Sequence, residues 1–257
     1  MNRPDGGRKA LPARLLPYLQ GVPAERDGVG CTGAEVLLLP DKVLKVERRS
    51  DESDRERAAY AWLAGRLPVP RVYEAFEEGG FNYLLMERLP GEMACAPERL
   101  AHPEDTARLL AEGLRMLWRV DVCPFDERLP GKLARARGRL EAGLVDASEM
   151  EPETLRRFGT PQAALRFLER NRPPEEPAFT HGDYCLPNVF LRGGTVSGFI
   201  DLGRAGAGDR WQDIALCVRS MRHNFGSDVG TAPLFEALGL ARDEERIDYF
   251  ILLDEFF

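Results

Sequence analysis

The sequence contains few cysteines, and those it has follow no recognisable pattern. Its 257 residues include 5 cysteines, an odd number, and no two of them form a Cys-x-x-Cys pair. A disulfide framework or a zinc site requires more regular cysteine spacing, so we expect neither. We interpret the cysteines as reduced thiols, which predicts a cytoplasmic protein.

Long apolar runs and an excess of positive charge are also absent. No apolar stretch approaches the roughly 18 residues that a membrane-spanning helix needs, and residues 1–10 are polar. The formal net charge is −7, whereas nucleic-acid-binding proteins normally carry a basic surface. We therefore expect no membrane and no nucleic-acid partner, and a cationic ligand suits this charge better.

What the sequence does contain is the composition of a soluble globular protein. Hydrophobic residues make up 44% and charged residues 30%, and the length suffices for one unit with two lobes. A break at Leu89-Pro90-Gly91 separates a strand-rich pattern from a helical one. We expect an α+β fold with a β-rich N-terminal lobe (1–88) and a mainly helical C-terminal lobe (89–257).

Hydrophobic periodicity predicts the individual elements of both lobes. In the first lobe it indicates a small antiparallel sheet and one helix, with a hairpin at 36–39 and 43–46, a helix at 53–67 and a strand at 82–87. In the second lobe it indicates helices near 132–145 and 161–170, and a helix that starts at 209–215. A second hairpin is expected to follow Asp183 and to end at Asp201.

The segment Thr-His-Gly-Asp-Tyr-Cys-Leu-Pro-Asn, residues 180–188, carries the strongest chemical signal together with Asp201. Phosphoryl transfer from a magnesium nucleotide needs an aspartate that accepts the hydroxyl proton, an asparagine that holds metal and a second aspartate that bridges metal to phosphate. Asp183, Asn188 and Asp201 have these identities and spacings. His181 is a weaker candidate for the base, because a histidine so placed more often braces the loop, and Cys185 is interpreted as a loop filler.

Lys45 is the candidate phosphate lysine, since it lies between Leu44 and Val46 in a predicted strand. An exposed strand lysine is the alternative. Its carboxylate partner is expected on the following helix, where Glu56 and Glu52 are both candidates. Glu56 has a second interpretation, as the last residue of a capping box that begins at Ser53.

Three glycines at 28–33 precede the first predicted strand. Glycine-rich backbone can approach nucleotide phosphates with its N–H groups, but a hairpin turn would have the same composition. Only its position upstream of Lys45 favours a phosphate loop.

With these residues in place, the chain closely resembles the aminoglycoside 3'-phosphotransferases, antibiotic kinases with a protein-kinase-like fold. The resemblance runs from about Gly28 to the last residue and is most specific at 180–188, 196–204, 209–219 and 252–257. It implies that Asp183 is the catalytic base, that Asn188 and Asp201 bind Mg²⁺, and that Lys45, held by Glu56, contacts the phosphates of ATP.

The resemblance also implies the residues around the nucleotide and the drug. The hinge backbone from Glu87 to Leu89 is expected to take the adenine, Met86 and Ile200 to line its pocket, and Thr32 to lie in the nucleotide loop. Acidic groups near the carboxyl end, Asp254, Glu255 and the Phe257 terminus, are expected to hold drug amines. Glu151 and Glu153 lie in a segment that forms part of the drug cleft in relatives and are expected to add negative charge there, and Arg204 is expected to orient neighbouring carboxylates. The chain departs from relatives at Val43, where several carry an aromatic ring, and at His223-Asn224, where better-known ones are acidic.

We therefore expect a monomeric ATP-dependent kinase that phosphorylates the 3'-hydroxyl of kanamycin- or neomycin-type aminoglycosides. A metabolite kinase of the same fold, acting on choline, homoserine or an amino sugar, is the main alternative. A catalytically silent nucleotide-binding module is another. A protein kinase is disfavoured because only about ten residues separate Asp201 from Trp211, too few for an activation loop.

Overall fold

The computed structural model describes residues 11–26, 34–121 and 123–257. Its strands are β1 (Glu25–Arg26), β2 (Glu35–Leu38), β3 (Lys42–Arg48), β4 (Val72–Glu78), β5 (Phe81–Glu87), β6 (Glu92–Met93), β7 (Pro177–Thr180), β8 (Val189–Arg192), β9 (Thr195–Phe199) and β10 (Gly206–Asp209). Its α-helices are α1 (Leu16–Leu19), α2 (Asp51–Leu63), α3 (Pro97–Leu100), α4 (Pro103–Trp118), α5 (Leu129–Glu141), α6 (Pro152–Phe158), α7 (Pro161–Arg170), α8 (Arg210–Phe225), α9 (Thr231–Leu238) and α10 (Glu244–Asp254). None of these helices is long and apolar enough to cross a membrane.

An antiparallel sheet with strand order β1-β2-β3-β5-β4 forms the N-terminal part of the molecule. Alternation along β3 buries Leu44 completely in a small cluster and turns Lys45 to the other face. On that face, α2 and β5 contribute buried residues to the core that continues into the helical part. The sheet therefore presents Lys45 toward α2 and the rest of the protein.

Helix α2 begins earlier than its sequence pattern predicts. Ser50 is the N-cap: its side chain accepts from Ser53 N, and the Ser53 side chain accepts from Ser50 N. The predicted start at residue 53 and the capping box from Ser53 to Glu56 are therefore wrong, because serine caps from one turn further upstream. Glu56 is released from a capping role and lies buried in the second turn of the helix.

The C-terminal part consists of helices packed around two small sheets. β7 pairs antiparallel with β10, and β6, β8 and β9 form a three-stranded sheet. The predicted helix at 161–170 is confirmed, and the one predicted at 132–145 lies at Leu129–Glu141. These two sheets carry the segments at 180–188 and 199–201 that hold the candidate catalytic groups.

The N-terminal sheet and the helical part meet after β5, close to the boundary predicted at residue 88. Leu89 packs on the backbone of Gly198, where an added Cβ would approach Leu89 Cδ1 to 2.5 Å. Ser197 Oγ donates to Pro90 O at 2.7 Å in the same region. The connection after β5 is thereby fixed against the hairpin that leads to Asp201, and the boundary itself stays a prediction.

Candidate active site

The loop that bears Asp183 is held by a buried aspartate of α8. Asp213 accepts from His181 N at 2.7 Å and from Gly182 N at 2.9 Å. Gly182 has a φ of +86°, and a Cβ there would lie 2.0 Å from the backbone oxygen of Arg204. Only glycine fits this position, because both the conformation and the close approach exclude a side chain.

Asp183 has hydrogen-bond partners within its own loop. Asn188 Nδ2 donates to the backbone oxygen of Asp183 and to its Oδ2, each at 3.0 Å. Cys185 Sγ lies 2.9 Å from Asp183 Oδ1. His181 is completely buried, and its Nδ1 accepts from Asp183 N at 3.3 Å, so it braces the loop as the sequence suggests.

Asp201 follows the β8–β9 hairpin and reaches the same place from the other side. Ile200 N donates to Asn188 O at 3.1 Å, and this bond joins the loop of Asp183 to the segment that carries Asp201. Asp201 N donates to the hydroxyl of the buried Tyr60 at 3.1 Å. Among the described non-glycine residues only Asp201 has a positive φ, +60°, a strained conformation that is typical of functional sites.

Lys45 is surrounded by carboxylates. Its Nζ lies 2.8 Å from Glu56 Oε2, 3.2 Å from Asp201 Oδ1 and 3.4 Å from Glu47 Oε1. Burial disfavours the ammonium, but Glu56, Asp201 and Glu47 outweigh this effect and raise the pKa of Lys45. Lys45 is therefore cationic at neutral pH, and Glu56, not Glu52, forms the close pair.

The predicted adenine-binding segment lies at the end of β5. Met86 is buried near the end of β5 and pairs with Val43 of β3. Glu87 N donates to Arg71 O at 2.8 Å, and Leu89 packs on Gly198. Ile200 is half-buried beside Asn188. The structure thus brings Leu89 against the β8–β9 hairpin, and the contacts of all these residues with adenine stay a prediction.

Near the carboxyl end, Asp254 forms a buried ion pair with two arginines. Its Oδ1 accepts from Arg204 at 2.5 Å and its Oδ2 accepts from Arg219 at 2.7 Å. Burial opposes ionisation, but Arg204 and Arg219 outweigh it and hold the pKa of Asp254 below its usual range. Both oxygens of the carboxylate expected to meet drug amines are thus already engaged.

Glu255 supports the start of α6, the helix that lies beside the expected drug site. Its Oε1 accepts from Thr154 Oγ1 at 2.6 Å, and its Oε2 accepts from Glu151 N at 3.1 Å. Burial raises the pKa of Glu255, although the Thr154 hydroxyl opposes this rise. Glu153 is exposed and pairs with Arg156 on the helix surface.

The ring of Phe257 lies among cationic side chains. Arg204 Cζ is 5.4 Å, Arg139 Cζ 5.9 Å and Lys132 Nζ 6.0 Å from its centroid. Phe257 N donates to Asp254 O at 3.0 Å. Phe257 is therefore packed beside Asp254 and Arg204. The family resemblance predicts that its terminal carboxylate binds drug amines there.

The donors at Asn188 and Asp201 suit a hard divalent cation. An amide oxygen and a carboxylate are oxygen ligands of the type that Mg²⁺ prefers, and Mg²⁺ usually takes its remaining ligands from phosphates and water. The described residues contain no cluster of three or more His, Cys, Asp or Glu side chains arranged to hold a metal alone. The amide of Asn188 and the carboxylate of Asp201 fit a cation that takes its other ligands from nucleotide phosphates and water.

Two residues that contact the candidate site residues were not predicted from the sequence, and one predicted residue lies outside the described ranges. Tyr60 bonds to Asp201 and lies four residues after Glu56 on the same face of α2, a spacing that could have revealed it. Arg219 has no local signal, since its partner Asp254 is 35 residues away. Thr32, the expected nucleotide-loop contact, lies outside the residues that the structure describes.

A β-rich part that presents a paired lysine, and a helical part that presents Asp183, Asn188 and Asp201, define a phosphotransferase with a protein-kinase-like fold. The model of the phosphotransferase enzyme family matches residues 30–250. The aminoglycoside 3'-phosphotransferase of Niallia circulans is 42% identical over 206 residues, which cover 79% of this chain and 78% of the relative. That of Enterococcus faecalis is 39% identical, with the same shares covered.

Solved structures agree with this result. The crystal structure of an aminoglycoside-3'-phosphotransferase of type VIII superposes with a TM-score of 0.80 at 32% identity, covering 95% of this chain and 98% of that one. The chain therefore belongs to the phosphotransferase enzyme family, and its resemblance to the aminoglycoside 3'-phosphotransferases is confirmed.

Proposed function

We propose that this protein transfers the γ-phosphate of ATP to the 3'-hydroxyl of kanamycin- or neomycin-type aminoglycosides and thereby confers resistance. The observation that carries the proposal is the assembly of Asp183, Asn188, Asp201 and Lys45 in a chain whose relatives are aminoglycoside 3'-phosphotransferases. The added phosphate places roughly −1.5 to −2 charges on a cationic drug and removes a hydroxyl donor.

In this proposal Asp183 accepts the proton of the 3'-hydroxyl as its oxygen attacks the γ-phosphorus. Lys45, fixed by Glu56, supplies positive charge to the nucleotide phosphates. Asn188 and Asp201 would hold Mg²⁺, which neutralises charge that develops on the phosphate oxygens. Asn188 also holds Asp183 directly, so metal binding and base orientation share one side chain.

The drug is proposed to lie against the start of α6 and the carboxyl end of the chain. Glu151 and Glu153 are exposed there, and Glu255 is half-buried. Anionic acceptors form stronger hydrogen bonds with ammonium groups than neutral ones do. We assign drug amines to these carboxylates and to the Phe257 terminus, and the arginine-paired Asp254 holds that terminus by accepting from Phe257 N.

We also propose that the chain acts as a monomer in the cytoplasm, with lobes at 1–88 and 89–257. Its described cysteines are free thiols, as fits a reducing compartment, and ATP is the abundant phosphate donor there.

The proposal is tested with purified protein, MgATP and a panel of aminoglycosides. We expect ADP release that depends on a drug with a free 3'-hydroxyl, and a product with phosphorus at that position by nuclear magnetic resonance. A 3'-deoxy aminoglycoside serves as the matched control substrate, and Asp183→Ala as the matched control enzyme. Turnover of choline or homoserine in place of every aminoglycoside would overturn the proposal in favour of a metabolite kinase.

A further inference from the structure

The thiol of Cys185 lies directly against the proposed catalytic base. Its Sγ is 2.9 Å from Asp183 Oδ1, whereas Asn188 Nδ2 donates to the other oxygen, Oδ2, at 3.0 Å. The backbone closes the same loop, since Cys185 N donates to Asp183 O at 2.8 Å. Each carboxylate oxygen of Asp183 thus has one partner from within the catalytic loop.

Cys185 is the donor in its contact with Asp183. Burial and the adjacent Asp183 carboxylate raise the pKa of the thiol far above its ordinary range, so the sulfur carries its proton at neutral pH. An ionised carboxylate can only accept hydrogen bonds. The S–H bond of Cys185 therefore points toward Asp183 Oδ1.

Cys185 also joins Asp183 to the ion pair near the carboxyl end. Arg219 interacts with the Cys185 thiol and donates to Asp254 Oδ2 at 2.7 Å. Arg204 donates to the other carboxylate oxygen of Asp254, Oδ1. The thiol is thus held between the proposed base and the arginine that braces Asp254.

We propose that Cys185 is a positioning residue for proton transfer, whose S–H fixes the rotation of the Asp183 carboxylate toward the substrate hydroxyl. The terminal torsion of an aspartate is broad, so two donors on opposite oxygens are needed to hold it in one orientation. Asn188 supplies one donor and Cys185 supplies the other. This inference rests on the proposed phosphotransferase function and adds a residue to it.

The kinetic test compares Cys185→Ala, which removes the donor, with Cys185→Ser, which keeps one. Loss of a hydrogen bond to a charged group predicts a kcat about tenfold lower for Cys185→Ala, with KM for both substrates unchanged. Cys185→Ser restores most of the lost kcat.

Cys95→Ala is the matched control, since Cys95 is a half-buried free thiol outside the site. We expect its kcat and both KM values to equal those of the unaltered protein. A simple space-filling role for Cys185 predicts that serine is no better than alanine, or that KM changes together with kcat. Either of those results overturns the proposal.

A second measurement needs no substrate, so it is independent of the proposed function. The infrared S–H stretching band of Cys185, isolated as the difference from Cys185→Ser, is expected at lower frequency than that of Cys95, because a hydrogen bond weakens the S–H bond. Asp183→Ala shifts the Cys185 band toward the free-thiol position. A Cys185 band that is unaffected by Asp183→Ala contradicts the inference even if drug turnover is normal, whereas absent turnover with the expected band contradicts only the proposed function.

Discussion

The two buried charged clusters of the site have opposite compositions. Around Lys45, one cation faces the carboxylates of Glu56, Asp201 and Glu47. Around Asp254, one carboxylate faces two arginines. The first cluster has surplus negative charge and the second has surplus positive charge.

This difference indicates how each cluster meets its ligand. The carboxylates around Lys45 are suited to Mg²⁺, which would balance Asp201 when the nucleotide binds, and Glu56 remains the structural partner of Lys45. In the cluster at Asp254 both carboxylate oxygens are already paired with arginines without a ligand, so it acts first as an internal brace. In the proposed function, drug amines then depend on the more exposed acids Glu151, Glu153 and Glu255.

Replacing Lys45 tests the acidic cluster and has the largest expected effect. Lys45→Met removes the cation that stabilises the phosphates, so kcat/KM for ATP falls about 100- to 1,000-fold. It also leaves Glu56 buried without its partner, which costs about 3–5 kcal/mol of the free energy of unfolding. Steady-state kinetics and chemical denaturation measure the two effects.

The double variant Lys45→Met/Glu56→Leu separates catalysis from stability. It removes both charges, so we expect the free energy of unfolding to recover while kcat/KM stays low. Recovery of activity in the double variant would show that Lys45 serves only to neutralise Glu56.

Replacing Asp254 tests the basic cluster. Asp254→Asn leaves Arg204 and Arg219 buried against a neutral amide, which costs about 3–5 kcal/mol of the free energy of unfolding, while KM for ATP is unchanged. Thermal and denaturant unfolding measure this loss of stability.

The double variant Asp254→Asn/Arg219→Met is the control. We expect it to be less destabilised, because one of the two unpaired guanidinium groups is removed together with the carboxylate. Equal stability of both variants with the unaltered protein would rule out an internal brace.

Local sequence patterns predicted the acidic cluster better than the basic one. Lys45 and Glu56 are 11 residues apart, and the alternation of a strand and the period of a helix were enough to name Glu56 and Glu52 as the two candidate partners. The choice between Glu56 and Glu52 needed the helix start, which Ser50 rather than Ser53 determines. Capping choices of this kind depend on small energy differences between neighbouring serines.

The basic cluster forms between residues that are far apart in sequence, so no local sequence pattern predicts its ion pairs. Arg204 and Arg219 lie 50 and 35 residues from Asp254 in sequence. Family resemblance identified Asp254 and Arg204 as site residues, but it did not reveal that both oxygens of Asp254 are engaged. The same limit applies to Cys185, whose contact with Asp183 depends on side-chain rotamers in a turn.

The pH dependence of the free energy of unfolding tests the surplus positive charge near Asp254, through the buried side chain of Lys132. Burial and Arg204 lower the pKa of Lys132 to about 8, although Glu127, Asp254 and Asp213 oppose the shift. Between pH 8 and the ordinary value of 10.5, the unfolded chain binds more protons at this site than the folded one.

The free energy of unfolding should therefore rise with pH across this window, by a contribution of about 3 kcal/mol from Lys132. Urea unfolding from pH 7 to pH 10 measures it as the difference between the unaltered protein and Lys132→Met. A difference that is constant with pH would contradict the prediction.

The smallest expected effect is that of replacing Glu255, which supports the start of α6 and is proposed to bind a drug amine. Glu255→Gln keeps one acceptor for Thr154 or Glu151 but removes the negative charge beside the helix start, which costs about 1 kcal/mol of the free energy of unfolding. Loss of one charge-assisted contact predicts a KM for the drug about threefold to tenfold higher, with KM for ATP unchanged. Glu153→Gln is the comparison variant, because it removes the same charge from an exposed position of the proposed drug surface, on α6 itself. Equal changes in the two variants would mean that only the overall negative potential matters, whereas a larger effect at Glu255 locates the drug amine at the junction of α6 and the carboxyl end.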